Sequence, residues 1–487
     1  MGRLEETRDI RLKKLALIKE LGIDPYPAQS LRTHSTADLA NNYERLAKSE
    51  RLLTIAGRIR SIRRHGGSGF VDVEDGTGHF QVFIKKDALG ENDYRNFTEL
   101  IDSSDVVEFT GKLFLTKQNT KTLEAKTFRL LTKSIRAIPE SYFGLKDIET
   151  RLRKRYIDLA VNPESRELFV RKSMFWKAIR QFLEDRDFIE VQIPVFEDVP
   201  GGAEAEPFVT HHNALDRDFF LRISLELPLK RLLVGGFERV YEIGRIFRNE
   251  GISAEHLQDY TQMEFYWAYA DYNNLQNMLI AFYRSIIEKT CGSLVVKSCG
   301  HEIDWGQEWK TYDYYQLFNV HAGINLHQTT ELELKKKADE LKIKYETYVK
   351  KGRLIDLIYK KTIRPLLIKP GFLINPPVEI EPLAKRMPED PDRVQRLQVM
   401  AWGTELGKGF SELNDPIDQR QRFEDQMKLR QAGDTEAQQL DEDYIEALEY
   451  GLPPTAGFGL SERLFSVLMD RPIRETTLFP PMKSTDK

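Results

Sequence analysis

The segment from residue 237 to residue 269 constrains the fold of this chain more than any other. Apolar and polar residues alternate on both sides of a polar loop; the first run ends in Phe247-Arg-Asn-Glu and the second contains Thr261-Gln-Met-Glu-Phe-Tyr. Alternation with a period of two predicts strands, and two such runs around a loop predict an antiparallel hairpin. Arg248 and Glu250 lie two residues apart, so we expect both on one face of one strand, where they can act on one ligand.

The chemistry of this pair suits a nucleotide. An Arg guanidinium pairs with a phosphate or a carboxylate, and a Glu beside it can accept a hydrogen bond from an exocyclic amine such as that of adenine. An Arg-x-Glu pair by itself is more often a surface ion pair, so the functional interpretation depends on the motifs around it.

Length and composition set the broad class. A chain of 487 residues exceeds what one hydrophobic core usually supports, so we expect two or more domains. No apolar run approaches the roughly 20 residues that a membrane helix needs, which predicts no membrane partner. The N-terminus lacks the pattern of a signal peptide and the chain has only 2 cysteines, so we expect a cytoplasmic protein. The net charge of −4 means that any RNA contact depends on local patches.

The N-terminal third predicts a helix followed by a small barrel. Apolar residues recur at helical spacing over residues 4–21, within a predicted N-terminal helical extension (1–50). This helix is either a packed surface helix or a basic helix that contacts RNA. Short alternating runs with glycine turns follow between residues 52 and 131, with a helical stretch at 94–100. Such spacing predicts a closed barrel of the oligonucleotide-binding type, the OB-fold, over residues 51–140.

Residues 141–487 are predicted to form a larger α+β domain. A helical pattern runs from Ser165, a plausible N-cap, to Arg186. The steady strand–helix alternation and the glycine-rich phosphate loop of a doubly wound nucleotide fold are both missing, so we expect a mainly antiparallel sheet flanked by helices. A lysine-rich helical insertion is predicted at about 331–367.

Three segments together resemble the motifs of class II aminoacyl-tRNA synthetases. The hairpin with Phe247-Arg-Asn-Glu and Gln262-Met-Glu-Phe resembles motif 2, and Gly457-Phe-Gly-Leu-Ser-Glu-Arg resembles motif 3. Residues 187–194, which end in Pro194, resemble motif 1, and this resemblance implies a homodimer.

Further segments are similar to the lysyl-tRNA synthetase family within that class. They begin at Pro200-Gly-Gly, His211-His-Asn, Lys230-Arg-Leu, Phe410-Ser-Glu and Gly451-Leu-Pro. The resemblance covers nearly the whole chain. It implies the ATP-dependent ligation of L-lysine to tRNA(Lys) through a lysyl-adenylate intermediate.

The chemistry of lysine agrees with the acidic residues of these motifs. Leaving a buried ammonium unpaired costs about 3–5 kcal/mol, so a lysine pocket needs carboxylates. The resemblance implies that Glu412, Glu264 and Tyr266 hold the ε-ammonium, and that Glu226 and the backbone of Gly202 hold the α-amino group. The remaining residues expected to bind lysine are Arg248, Lys408 and Phe410.

The same resemblance implies an ATP site with Mg²⁺. Arg248 is expected on the α-phosphate and Arg463 on the γ-phosphate, and these two are the expected catalytic residues. Glu405 and Gln398 are the expected metal ligands. The other residues expected to bind ATP are Glu250, His256 and Tyr260.

The predicted barrel carries a second group of candidate residues. A base stacked on Phe70 would gain about 1–3 kcal/mol, and the Gln81 amide can both donate to and accept from a base edge. With Arg63, these positions match those that read the central anticodon uridine in lysyl- and aspartyl-type synthetases. Without that match, Phe70 is more simply interpreted as barrel core.

The sequence departs from the family pattern at three places. Gln398 stands where the family usually has a metal-binding glutamate, which leaves the number of Mg²⁺ ions open, because a neutral oxygen binds Mg²⁺ less strongly. Lys408 stands where an asparagine commonly contacts the substrate, and it can either pair with the lysine carboxylate or point to solvent. Motif 3 is one residue short, with Ser461 in the shortened stretch.

Two alternative functions remain at this stage. Truncated relatives that transfer lysine to a protein lack the N-terminal barrel, so residues 52–131 count against that activity. A non-catalytic tRNA-binding protein would have no use for Arg248 and Arg463 together. Aspartate or asparagine specificity would share the architecture, but an acidic pocket repels aspartate.

Overall fold

The computed structural model describes residues 2–49, 51–138, 147–251, 257–346 and 349–484. The chain forms two compact units, Met1–Asn162 and Pro163–Lys487. Each unit is described by itself below. No helix in these described ranges is long and apolar enough to cross a membrane.

The first unit contains the predicted barrel. Its strands are β1 (Leu53–His65), β2 (Ser68–Asp75), β3 (Gly78–Lys85), β4 (Val106–Leu115) and β5 (Lys121–Thr132). They close in the order β1-β2-β3-β5-β4, and antiparallel pairing of β1 with β4 completes the ring. Val71, Val73 and Val82 are fully buried, so alternate residues fill the interior as the period of two requires. The predicted barrel is therefore confirmed.

The described part of the first unit also contains several helices. They are α1 (Gly2–Glu20), α2 (Thr36–Asn41), α3 (Tyr43–Lys48), α4 (Lys86–Leu89), α5 (Glu91–Leu100), α6 (Ile148–Arg153) and α7 (Arg155–Val161). Helix α1 confirms the N-terminal helix, and α5 confirms the helical stretch at 94–100. Ile18 of α1 is buried in the barrel's hydrophobic cluster, and Lys14 forms a 2.6 Å ion pair with Asp102. At least one face of α1 is thus packed.

The second unit is built on an eight-stranded sheet. The sheet order is β14-β15-β16-β17-β18-β11-β10-β6, in which β14–β15 and β10–β6 are parallel and the other pairs antiparallel. Its strands are β6 (Ile189–Glu190), β10 (Arg239–Phe247), β11 (Asp259–Ala268), β14 (Lys310–Asp313), β15 (Gly371–Ile374), β16 (Arg396–Ala401), β17 (Thr404–Ser411) and β18 (Thr455–Ser461). The predicted, mainly antiparallel sheet is confirmed.

Two small sheets and nine α-helices complete the described part of this unit. The small sheets are β7 (Phe196–Glu197), β8 (Val209–His212) and β9 (Arg217–Leu221), and β12 (Val295–Ser298) with β13 (His301–Asp304). The helices are α8 (Pro163–Glu184), α9 (Glu226–Val234), α10 (Tyr272–Cys291), α11 (Tyr314–Leu317), α12 (Glu331–Glu340), α13 (Lys351–Thr362), α14 (Pro416–Gln431), α15 (Glu442–Glu449) and α16 (Arg463–Leu468). Helices α8 and α10 bury one face against the sheet through Phe182, Phe282 and Phe265.

Two details of the prediction are wrong. Helix α8 begins at Pro163, so Ser165 lies in its first turn and is not the N-cap; proline suits this place because the first helical N–H groups have no intrahelical acceptor. Strand β10 ends at Phe247, so Arg248 and Glu250 do not lie on a strand. The backbone N–H of Asn249 donates to Glu206 O at 2.8 Å, which draws the chain away from the hairpin ladder.

Residues 331–367, where the sequence predicts a helical insertion, are helical over most of their described part. Helices α12 and α13 and a 3₁₀ turn (Arg364–Leu366) fall within residues 331–367 and lie between the parallel strands β14 and β15. Leu334 and Ile355 belong to a separate hydrophobic cluster that also includes Leu373 of β15. The insertion therefore packs onto the sheet through its own core.

Candidate active site

A polar cavity of about 280 Å³ opens on the sheet of the second unit at strands β11, β17 and β18. It collects most of the residues that the sequence predicts for the catalytic site. These are Gly202, Glu226, Arg248, Tyr260, Glu264, Tyr266, Glu405, Lys408, Phe410, Glu412 and Arg463. The cavity is therefore the candidate active site.

Strand register explains why these side chains meet. On β11, Glu264 and Tyr266 pair with Gly459 and Gly457 of β18; on the other side of β18, Lys408 and Phe410 pair with the same two glycines. A Cβ at Gly457 would collide with the Glu412 carboxylate and the ring of Tyr266. Glycine at this position keeps the floor of the cavity open, so that side chains from both neighbouring strands reach into it.

Neutral donors hold the Glu264 carboxylate. Its Oε1 accepts from Ser224 Oγ at 2.8 Å, Leu225 N at 3.0 Å and Gln262 Nε2 at 2.6 Å, and its Oε2 accepts from Tyr266 Oη at 2.8 Å. A carboxylate fixed by four donors keeps one orientation. Glu264 thus presents a fixed negative charge to the cavity.

Lys230 is a functional candidate that the sequence analysis missed. Its side chain is 0% exposed, and its ammonium forms ion pairs with both Glu226 and Glu412. Burial lowers the pKa of Lys230, but the two carboxylates raise it by more, so the amine stays charged. The available signal was a lone lysine four residues after Glu226 in a helix that is otherwise rich in leucine.

Glu412 keeps one oxygen unused. The residue is 2% exposed, and its Oε1 has no hydrogen-bond partner among the described residues. A buried carboxylate oxygen without a donor is costly unless a ligand supplies one. Burial raises the pKa of Glu412 well above its usual range, and burial raises that of Glu226 to about 7. Burial thus favours the protonated form of both carboxyls, whereas a cationic ligand would favour their ionised form.

The acidic end of the cavity is the part that contains Glu226, Glu264 and Glu412, and its charges suit a ligand with two positive charges. With Glu226, Glu264 and Glu412 ionised and Lys230 protonated, three carboxylates and one ammonium leave a net charge of −2. A ligand with two ammonium groups would neutralise it.

The other end of the cavity is cationic. Arg248 donates through Nε to Ile223 O at 3.2 Å, and its guanidinium lies 5.8 Å from the centre of the Tyr260 ring. Arg463 begins α16, and its Nε is buried without a hydrogen-bond partner in the part of the chain that the structure describes. Two arginines near a tyrosine ring suit phosphates and a stacked base.

Glu250 and His256 lie outside this group. Glu250 does not line the cavity; it follows Arg248 in the loop, and its carbonyl accepts from Gln258 Nε2 at 2.8 Å. Burial raises the pKa of Glu250, while Arg248 lowers it by less. His256 lies outside the described residues.

Glu405 lines the cavity, and Gln398 lies next to it. Gln398 Nε2 donates to Glu405 Oε2 at 2.5 Å, and Gln398 Oε1 is buried without a hydrogen-bond partner among the described residues. Lys408 does not simply point to solvent: it lines the cavity, and its Nζ lies 3.1 Å from Glu381 Oε2. Glu381, which the sequence analysis did not single out, also pairs with Arg396 at 3.1 Å.

The barrel brings its three candidate residues onto one face. Arg63 pairs with Phe70 across β1 and β2, and Asp72, two residues further along β2, pairs with Gln81 of β3. Phe70 is half-buried and lies 5.0 Å from the Phe83 ring centre, so it is not part of the barrel core. Arg63 donates to Asp72 at 3.3 Å. This face offers a ring, an amide and a guanidinium side by side.

Comparisons with known proteins agree with both units. Residues 147–483 match the family model described as tRNA synthetases class II (D, K and N), and residues 53–131 match that of the OB-fold nucleic acid binding domain. The chain is 43% identical to the lysine–tRNA ligase of Moorella thermoacetica over 481 residues, covering 98% of both chains. It is 40% identical to that of Bacillus subtilis over 488 residues, covering 99% of this chain and 98% of the relative. With that of Roseiflexus sp. the identity is 41% over 487 residues, covering 99% and 100%.

Proposed function

This chain belongs to the class II aminoacyl-tRNA synthetases, in the family of the lysine–tRNA ligases, and we propose that it joins L-lysine to tRNA(Lys) with ATP through a lysyl-adenylate. One observation carries the assignment of lysine to the cavity: the Oε1 of Glu412 is buried and has no hydrogen-bond partner among the described residues, beside the carboxyl groups of Glu226 and Glu264. Lysine carries two ammonium groups, and no other common amino acid has a primary amine at the end of its side chain.

In this proposal the two ammonium groups of lysine bind to different carboxylates. The ε-ammonium donates to Glu412 Oε1 near Tyr266, and the α-ammonium lies against Glu226 and the Gly202 backbone. Glu264 adds its fixed charge between them. Phe410 packs beside the aliphatic stem, and Lys408 faces the α-carboxylate. An aspartate side chain would meet three carboxylates and is excluded by charge repulsion.

The cationic end binds ATP and promotes adenylate formation. The lysine carboxylate oxygen attacks the α-phosphorus, a new O–P bond forms, and pyrophosphate leaves with the electron pair of the broken bond. Arg248 neutralises charge on the α-phosphate, Arg463 on the γ-phosphate, and Tyr260 stacks on adenine. The residues position the reactants, and no general base is needed because the carboxylate is already ionised. A terminal hydroxyl of tRNA then attacks the adenylate carbonyl and AMP leaves.

Glu405 and the adjoining Gln398 fit one Mg²⁺ ion. Gln398 Oε1 is a buried oxygen without a partner, and the Glu405 carboxylate adjoins it. These are hard oxygen ligands of the kind that Mg²⁺ prefers. When bound, the ion supplies positive charge to the phosphate oxygens. Glu405 and Gln398 would hold it.

The catalytic efficiency with lysine, kcat/KM, should fall below neutral pH. Burial raises the pKa of Glu226 to about 7, so the carboxyl is increasingly protonated below that pH and loses its attraction for the α-ammonium. We expect kcat/KM for lysine to fall at least tenfold per unit below pH ~7. The measurement is lysine-dependent ATP–pyrophosphate exchange across this range. Glu226→Gln should lack this limb; a wild-type profile that stays level under acid conditions would contradict the role of Glu226.

The barrel face is proposed to read the anticodon of tRNA. Phe70→Ala should raise KM for tRNA about 5–150-fold, because one stacked base is worth about 1–3 kcal/mol. Aminoacylation at varied tRNA concentration measures this change, and exchange without tRNA serves as the internal control. In a tRNA whose central anticodon base is changed, the same substitution should cost much less. An equal penalty for both tRNAs would remove Phe70 from anticodon reading.

A homodimer is proposed from exposed apolar residues in and near motif 1. Val170 and Met174, one turn apart on α8, and Ile189 on β6 are each about half exposed. Grouped exposed apolar side chains often mark an interface. We expect sedimentation to give the mass of two chains, and the mass of one chain in solution would contradict the dimer.

The cytoplasm is proposed as the location, because the two cysteines are free thiols, in agreement with a reducing compartment.

The alternative activities have less support. A protein-lysylating relative has no need of the OB-fold that residues 53–131 match. A non-catalytic RNA-binding protein has no need of Arg248 and Arg463, the two cavity arginines that are proposed to bind the triphosphate of ATP.

A further inference from the structure

Lys408 carries a fixed positive charge into the active-site cavity. Its Nζ lies 3.1 and 3.2 Å from the two oxygens of Glu381, and its side chain is 40% exposed. Glu381 is buried and also pairs with Arg396. One carboxylate therefore serves two cations, and the group of three keeps a net charge of +1. Because Lys408 is the exposed member, that charge faces the cavity.

The same side of the cavity is poor in ligands for divalent ions. Gln398 is the direct cross-strand partner of Lys408 on β16 and β17, and it offers a neutral amide oxygen. The Glu381 carboxylate is occupied by its two cations. Glu204 also lines this side of the cavity, but it lies 3.8 Å from Arg353. Among the described carboxylates here, Glu405 is thus the one without an ion pair, and it already accepts from Gln398. A second protein-bound divalent ion would have few charged ligands and would meet the Lys408 ammonium.

From this arrangement we infer that Lys408, held by Glu381, replaces one protein-bound divalent ion and supplies positive charge where the lysine carboxylate meets the α-phosphate of ATP. The inference rests on the proposed function, which places those two groups in this cavity. The protein itself then holds at most one ion, at Glu405 and Gln398, besides those carried by the ATP phosphates. Lys408 acts as a catalytic residue because its ammonium contacts the reacting groups.

The test counts bound ions without turnover. Mn²⁺ binding is measured by electron paramagnetic resonance in the full-length protein with lysine and a β,γ-methylene analogue of ATP. The double variant Gln398→Glu/Lys408→Asn restores a carboxylate and removes the ammonium, and it should bind one more Mn²⁺ per chain than the wild type. Lys408→Arg should keep the wild-type number. Equal numbers in the wild type and the double variant would overturn the inference.

A single substitution provides a second measurement if the double variant does not fold. Lys408→Asn should raise the free Mg²⁺ concentration that half-saturates exchange about tenfold, because a metal ion must now supply the lost charge. Lys337→Asn, which loses only a surface ion pair on α12, is the matched control and should leave this concentration unchanged. An unshifted value in Lys408→Asn would overturn the inference. Absence of lysine-dependent exchange in the wild type would contradict the proposed function, whereas the ion count would still decide the role of Lys408.

Discussion

Glu412→Gln is expected to lower kcat/KM for lysine by about 10²-fold or more. Glu412 Oε1 is buried and unpartnered, and it is the oxygen proposed to receive the ε-ammonium. A buried ammonium that loses its carboxylate costs about 3–5 kcal/mol, and each 1.4 kcal/mol is a factor of about ten. The measurement is lysine-dependent ATP–pyrophosphate exchange at varied lysine concentration.

The loss should be selective for lysine. KM for ATP should change little, since Arg248 and Arg463 are intact. Because Lys230 also pairs with Glu412, thermal unfolding must show that the variant is folded. Glu446→Gln on the exposed side of α15 is the matched control and should behave as the wild type. Similar lysine kinetics in Glu412→Gln and Glu446→Gln would contradict the proposed ε-ammonium site.

Arg248→Ala is expected to reduce kcat of exchange by about 10²–10³-fold. Removing one fixed donor that stabilises charge developing in a transition state costs about 2.7–4 kcal/mol. Arg248 lines the cavity, and its position is fixed by Ile223 O and by the backbone bond from Arg248 N to Gln258 O at 2.8 Å. The effect should fall mainly on kcat, because the α-phosphate gains charge only during the reaction.

The control for this variant is Arg471→Ala, which loses only an exposed ion pair with Glu475. Its exchange rate should match the wild type. Binding of ATP to Arg248→Ala, measured by titration calorimetry, should persist, because Arg463 and Tyr260 remain. A kcat within a few-fold of the wild type would show that Arg248 does not contact the reacting phosphate.

The features that follow from local alternation and periodicity were predictable from the sequence. The hairpin β10–β11 and the closed barrel follow from a period of two residues, and the structure confirms both. The helices within residues 331–367 follow from a period of 3.6 residues. The end of β10 was not predictable in this way. It depends on the bond from Asn249 N to Glu206 O, a contact between residues that are distant in sequence.

The candidate site was predictable where the motifs carry it. Glu226, Glu264 and Glu412 come together as the family resemblance implies, although their roles stay predictions until they are tested. Lys230 and Glu381 were missed because their importance arises from tertiary pairing. The sequence places Lys230 four residues after Glu226, but only the fold brings Glu412 close, so that the lysine lies between two carboxylates.

Lysine-dependent ATP–pyrophosphate exchange without tRNA tests the central claim most directly. Purified protein with Mg²⁺ is supplied in turn with lysine, ornithine, asparagine and aspartate. The account predicts rapid exchange with lysine, weaker exchange with ornithine, which is one methylene shorter and loses about 1–3 kcal/mol, and none with asparagine or aspartate. Exchange driven by aspartate or asparagine, or no exchange with any of the four in folded protein, would contradict the assignment of this cavity to lysine activation.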